Sequence, residues 1–195
     1  MSEQDTMIAV YRLHDDVEEA VNALRKSEFG PGTVSIVGRN FHTVDAVVGY
    51  STAGDAVRPC GRLGPFWGDL LTSFSEFALY WVPDLGPLVM AGELMSRVRQ
   101  VSDENVIVYG LTALGIALYS TGVPEYGALG CEDAIRQDKF ILVVRGRARD
   151  LKRARSALAV SDVESIEIHH SSMQTAVSAC RSDREHVSCG RESNS

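Results

Sequence analysis

Lys139-Phe140-Ile141-Leu142-Val143-Val144-Arg145 carries the clearest strand pattern in the chain. Its apolar centre leaves no polar face and is rich in β-branched residues. Such a run fits a strand at the middle of a sheet, buried on both sides. Downstream, Asp150 to Val160 reads as a helix. Leu151, Ala154, Ala157 and Leu158 recur at helical spacing, while Lys152, Arg153 and Arg155 point to water. Ser165 to His169, Ser-Ile-Glu-Ile-His, alternates polar with apolar and fits a strand with one wet face.

The same grammar stands at the front of the chain. Met7 to Leu13 is a short β-rich apolar run, and Asp15 or Asp16 is placed to cap the helix that follows. Glu18 and Glu19 suit the positive end of that helix's dipole. Val17, Ala20, Val21 and Leu24 form its apolar stripe, and Phe29-Gly30-Pro31-Gly32 stops it. Thr33 to Val37 then makes a second strand, ending at Gly38. Strand–helix–strand occurring twice is the split βαβ pattern. The expected fold is therefore α+β: a ferredoxin-like frame over residues 7–38 and 139–169, with four strands in one antiparallel sheet and both helices on one face.

About a hundred residues between Gly38 and Lys139 exceed what such a frame needs. Val44 to Asp55 reads as an extension or hairpin partner of the second strand, centred on residues 43–52. Residues 61–137 read as a Gly-rich, apolar α-helical insertion between the two halves. Gly61, Gly64 and Gly68 punctuate its first arm, and Pro83-Asp84-Leu85-Gly86-Pro87 breaks it. Ser102, Asp103 and Glu104 are placed to cap a further run that carries no charge from Val106 to Val123. That run reaches the lower limit for a membrane span. The first arm does not, because Asp69, Glu76, Asp84 and Glu93 interrupt it. The insertion is accordingly expected to be a packed helical layer or a shallow membrane contact. Glu125 to Gln137 closes it as an amphipathic helix. Residues 1–170 read as one domain, and the polar, Ser-rich stretch 171–195 reads as a disordered tail.

The chain has 195 residues and a formal net charge of -7, with no basic cluster to offset the acidic balance, so nucleic acid is a poor partner. Cys60, Cys131, Cys180 and Cys189 match no zinc-ligand spacing and read as free thiols. His169-His170 with the two tail cysteines lacks a rigid scaffold, and no metal or other cofactor is expected. The N-terminus shows no basic and apolar leader, which points to the cytoplasmic side. No catalytic constellation converges. His14 beside Asp15 and Asp16 reads as a turn residue, and His42 has no neighbouring nucleophile. Cys60, ahead of a helix start, is the best candidate for a reactive thiol. Arg12 and Arg39 near strand ends could meet an anion, and the glycine series matches neither phosphate-loop pattern.

Val34 to Gly38, Val48-Gly49-Tyr50, Gly54-Asp55 and Gly61-Arg62-Leu63-Gly64-Pro65-Phe66-Trp67-Gly68 follow one another in an order that resembles the bacterial heat-induced stress proteins of the YflT type, also called general stress protein 17M-like. Pro83 to Pro87, Gly110 to Gly115 and Lys139-Phe140 continue the likeness, which covers nearly everything from Met7 to His169. Asp69, Asp84 and Cys131 depart from the pattern and make the insertion more polar. The resemblance implies a bacterial stress-associated role without catalytic residues. The expected function is that of a non-catalytic protein acting through its insertion, by self-association or by docking on a partner protein or a membrane surface. Phe66, Trp67, Phe74, Phe77, Tyr80, Trp81, Gly110 and Ala113 would form that interaction surface. The alternative is a small-ligand-binding regulatory module with its pocket between sheet and insertion.

Overall fold

The computed structural model describes residues 4–30, 32–39, 70, 74, 77–82, 84–103 and 110–170. Six strands form one sheet: β1 (Asp5–Tyr11), β2 (Val34–Arg39), β3 (Phe77–Val82), β4 (Gly86–Ala91), β5 (Phe140–Gly146) and β6 (Ser165–His169). Their order is β3-β4-β2-β5-β1-β6, and every neighbouring pair is antiparallel. The helices, among the described residues, are α1 (His14–Lys26), α2 (Glu93–Asp103), α3 (Ala113–Ser120), α4 (Glu125–Arg136) and α5 (Ala148–Leu158). The molecule is thus a mixed α/β structure. α1 links β1 to β2 with β5 lying between them, and α5 links β5 to β6 with β1 between them.

The opening run is indeed central. Phe140, Leu142 and Val144 point to one face of the sheet, Ile141 and Val143 to the other, and all five are buried. On the first face, Met7, Ala9, Tyr11 and Ile36 join them beneath Val17, Val21 and Leu24 of α1 and Leu151 and Leu158 of α5. On the second, Ile8, Val37 and Met90 lie beneath Leu94 and Val98 of α2, Leu114 and Leu118 of α3 and Ile135 of α4. Leaving a Val, Ile or Met of that second face in water would forfeit roughly 1.5–3 kcal/mol for each side chain. The helices α2 to α4 prevent that loss.

The expectation of a wholly helical stretch over 61–137 is corrected here. Its middle is a β-hairpin: β3 and β4 pair from Phe77↔Ala91 to Val82↔Gly86. The chain reverses between Val82 and Gly86, with the Leu85 amide donating to the Val82 carbonyl at 3.1 Å. Two physical causes favour the hairpin. Phe-Ala-Leu-Tyr-Trp-Val has strong β-propensity, and β2 had an open edge whose amides and carbonyls needed partners. β4 takes that edge, from Ile36↔Ala91 to Arg39↔Leu88. Residues 43–52, read as its extension or partner, lie outside the described residues, as do 61–69 and 171–195.

Helix boundaries differ too. Ser102 and Asp103 belong to α2 and so do not cap a following helix, and Glu104 lies outside the described residues. Among its described residues, the uncharged run holds the eight-residue α3. Gly110 at φ 70° and the N-cap Thr112 interrupt it. Among the described residues no helix is long and apolar enough to cross a membrane. At the front, α1 starts one residue before Asp15, with Leu13 as N-cap and no side-chain cap, so Asp15 and Asp16 occupy its first turn.

Candidate functional site

α4 crosses the second face of the sheet beside β1 and β6, and between them lies a cleft of about 200 Å³. Ile8 and Val10 of β1 and Ala134 of α4 make its apolar part, with Tyr126, Gly127, Gly130 and Cys131 along the helix. Asp133, Lys139, Glu164 and Glu167 supply its charge. The period-2 alternation of β6 puts Ser165, Glu167 and His169 on this face, while Ile166 and Ile168 pack into the opposite core.

Each polar group here has an identifiable setting. Lys139 Nζ donates to Glu164 Oε1 at 2.7 Å, and Arg136 Nη1 donates to Asp133 Oδ1 at 2.7 Å. His169 is buried, its side chain 7% exposed, with its ring edge-on to Tyr126 at 6.3 Å between centroids. Its Nε2 lies 3.4 Å from Glu167 Oε2 yet has no hydrogen-bond partner. Burial holds the His169 imidazole below its ordinary value, against the upward pull of the Glu167 charge, and His170 adds to the lowering. Cys131 is buried, and its thiol is pushed up to about 12 by burial and by the charges of Glu167 and Glu132, so it stays protonated and unreactive.

The helix glycines divide by what surrounds them. A Cβ on Gly127 would press on Val123 Cγ1 at 3.0 Å and on His169 at 3.3 Å, so Gly127 is needed for the helix to sit down on β6. A Cβ on Gly115 would collide with the Glu132 carboxylate. A Cβ on Gly130 would meet nothing within 4 Å. Packing therefore explains the first two and not the third, which lines the cleft.

Glu132 belongs to a different device. It is 1% exposed, and its Oε1 accepts from the Thr112 amide at 2.9 Å and from the Thr112 hydroxyl at 2.8 Å. A buried carboxylate thus sits at the N-terminus of α3, where the helix dipole favours it. At the far end of the sheet Glu93 accepts from Arg97 and Arg145 together. Burial alone would raise the Glu93 carboxyl, but the Arg97 hydrogen bond and the two guanidinium charges hold it below the ordinary range.

Of the residues expected to form an interaction surface, the described ones lie in separate parts of the molecule. Phe74 is buried in the core under α1 and α5, whereas Ala113 packs against the core on the opposite face. Phe77 is 39% exposed on the edge strand β3, to which Tyr80 and Trp81 also belong. Gly110 sits in an exposed turn before α3. Phe66, Trp67 and the thiol candidate Cys60 lie outside the described residues. Arg39 is corrected as an anion candidate: its guanidinium holds the Leu85 carbonyl at 2.7 Å and Asp138 at 3.0 Å. Arg12 lies 3.9 Å from Glu164. Among the described residues no three metal-ligating side chains are placed to hold an ion. The cleft residues Tyr126, Gly130 and Glu167 were missed by sequence reasoning. Only the outward alternation of β6 and a glycine inside α4 marked them.

No family model, no curated protein and no solved structure matches the chain.

Proposed function

We propose that this protein is a small-ligand-binding module whose ligand occupies the cleft between the β1–β6 side of the sheet and α4. The observation that carries this reading is Gly130. It is an interior helix residue that forgoes about 1 kcal/mol of helix propensity relative to alanine with no neighbour for a Cβ to meet, and it opens onto the cleft. Frame and insertion both line the site, so ligand occupancy would tie the insertion's last helix to the edge of the sheet. A thermal-shift screen with nucleotides, amino acids and metal ions tests it, run on the wild type and on Gly130→Leu, which places a bulky side chain on the cleft wall. Some compounds should raise the melting temperature of the wild type alone. A flat response throughout would contradict the reading.

We infer further that β2, β5, β1 and β6 with α1 and α5 form a ferredoxin-like frame, supported by the two interleaved strand–helix–strand units. The likeness to heat-induced stress proteins supports a stress-associated, regulatory role for the module. Docking or self-association is the second reading. It is favoured by Tyr126 and Leu129, 71% and 38% exposed on adjacent turns of α4. Light scattering across a concentration series tests it, and a strictly monomeric protein would exclude self-association. The apolar residues of α2 and α3 support it less, because they are spent on the sheet.

A further inference from the structure

We propose that the outer face of α1 and α5 is a docking surface for a second copy of this chain, laid on it after a turn of 180°. These helices cover the side of the sheet opposite the cleft, so the proposal stands apart from the ligand reading. The two helices run antiparallel. Just beyond the end of α1, the Ser27 carbonyl accepts from Arg153 Nη2 at 3.1 Å. At the start of α1, Leu13 and Asp16 share a hollow with Asp162, which follows α5. A groove runs along the seam between the helices. Asp15, Glu18 and Glu19 line one end of it and Lys26 the other. Beyond Ala157 it continues to Lys152 and Arg153.

The two ends carry opposite charge, and the middle is neutral. Asn22, Ala23 and Ala157 lie there, and the two alanines are short enough to let another helix approach. Along α1 the charges follow the helix dipole, acid at the start and base at the end. Along α5 they do not. Arg147 and Arg149 stand at its positive end, where the dipole disfavours a cation, so the basic end of this face has no local helical reason. Among the described residues no ion pair engages Glu18, Glu19, Lys26 or Lys152. Val160 is 62% exposed in the groove beyond the end of α5, where the aliphatic stems of a second copy's lysines would cover it. A partner of one sign, such as a nucleic acid or a basic peptide, meets repulsion at one end of the groove. A second copy turned by 180° sets acid on base at both ends, which is an isologous contact.

Sedimentation equilibrium on the full chain tests this, with protein up to about 1 mM so that even a weak contact registers. The wild type should form reversible dimers. Glu18→Lys with Glu19→Lys gives the acidic end a positive balance, and Lys26→Glu with Lys152→Glu gives the basic end a negative one. Each double variant alone should dimerise about tenfold or more weakly than the wild type, because like charges then meet. Mixed in equal amounts, the two variants should pair with each other, since each end of one again faces its opposite in the other. Pairing on mixing also shows that both variants are folded. A wild type that stays monomeric throughout overturns the proposal. So does a dimer that both variants retain undiminished, which would place the contact elsewhere, as at Tyr126 and Leu129. Variants with native circular dichroism that stay monomeric on mixing overturn it too. Gly130→Leu should leave the dimer intact, so failure here and failure of the cleft reading are read separately.

Discussion

Glu28 shows how a single position departs from what sequence suggests. The chain leaves α1 through Glu28 at φ 65°, in the left-handed region that L side chains enter at a steric cost, and two residues before the glycine that seemed the obvious stop. Glu28 is exposed and its carboxylate serves no described contact. Glu28→Gly should therefore stabilise the protein by about 0.5–1 kcal/mol, read from urea denaturation. His169 gives a pH dependence of definite sign. In the unfolded chain its imidazole takes a proton near 6.5, whereas burial, opposed in part by Glu167, holds the folded value lower. Between those values the unfolded state binds more protons, so stability is lost as pH falls below 6.5. His169→Phe should flatten that part of the curve. Glu93 adds a second loss at stronger acid: with its carboxyl held below 4.5 by Arg97 and Arg145, its contribution drops away as pH falls from 4.5 through the folded value.

At the scale of elements, α3 and α4 are joined by the buried Glu132. Glu132→Ala leaves the Thr112 amide and hydroxyl without their acceptor and should cost about 2–3 kcal/mol. Gly115→Ala should also destabilise, because its methyl group takes the carboxylate's place. The double variant should be less damaging than the sum, since the new methyl fills the space that the lost carboxylate leaves. Equilibrium unfolding of the three variants checks the coupling. None of this was legible beforehand: Glu132 lies on a helix that reads as amphipathic, and only the third dimension brings it under α3. The strands β5 and β6 were legible because β5 is apolar on both faces and β6 alternates, two patterns with one structural meaning each. The hairpin was not. Phe77 to Val82 is short and apolar, a pattern that fits a buried helix as well as a strand. What decided between them was the open edge of β2, a tertiary fact.

For the whole molecule, α2, α3 and α4 are the second helical layer, and the sheet's central strands are buried on both faces because of them. Gly92 is where that layer departs. At φ 88° its Cβ would run into the Val34 carbonyl and Ser35, whose hydroxyl accepts from the Leu94 amide at 3.1 Å to start α2. Gly92→Ala should destabilise the molecule by about 3 kcal/mol in chemical denaturation. The candidate site exists because of this layering: its cleft opens where α4 meets the β6 side of the sheet. Adding the compounds of the thermal-shift screen to the ¹⁵N-labelled chain and following its amide spectrum tests the reading of that cleft as a ligand site. Saturable shifts are expected at Gly127, Gly130, Cys131, Ser165 and Glu167, with their loss in Gly130→Leu. Shifts confined to other parts of the molecule, or none with any of the compounds, would contradict it.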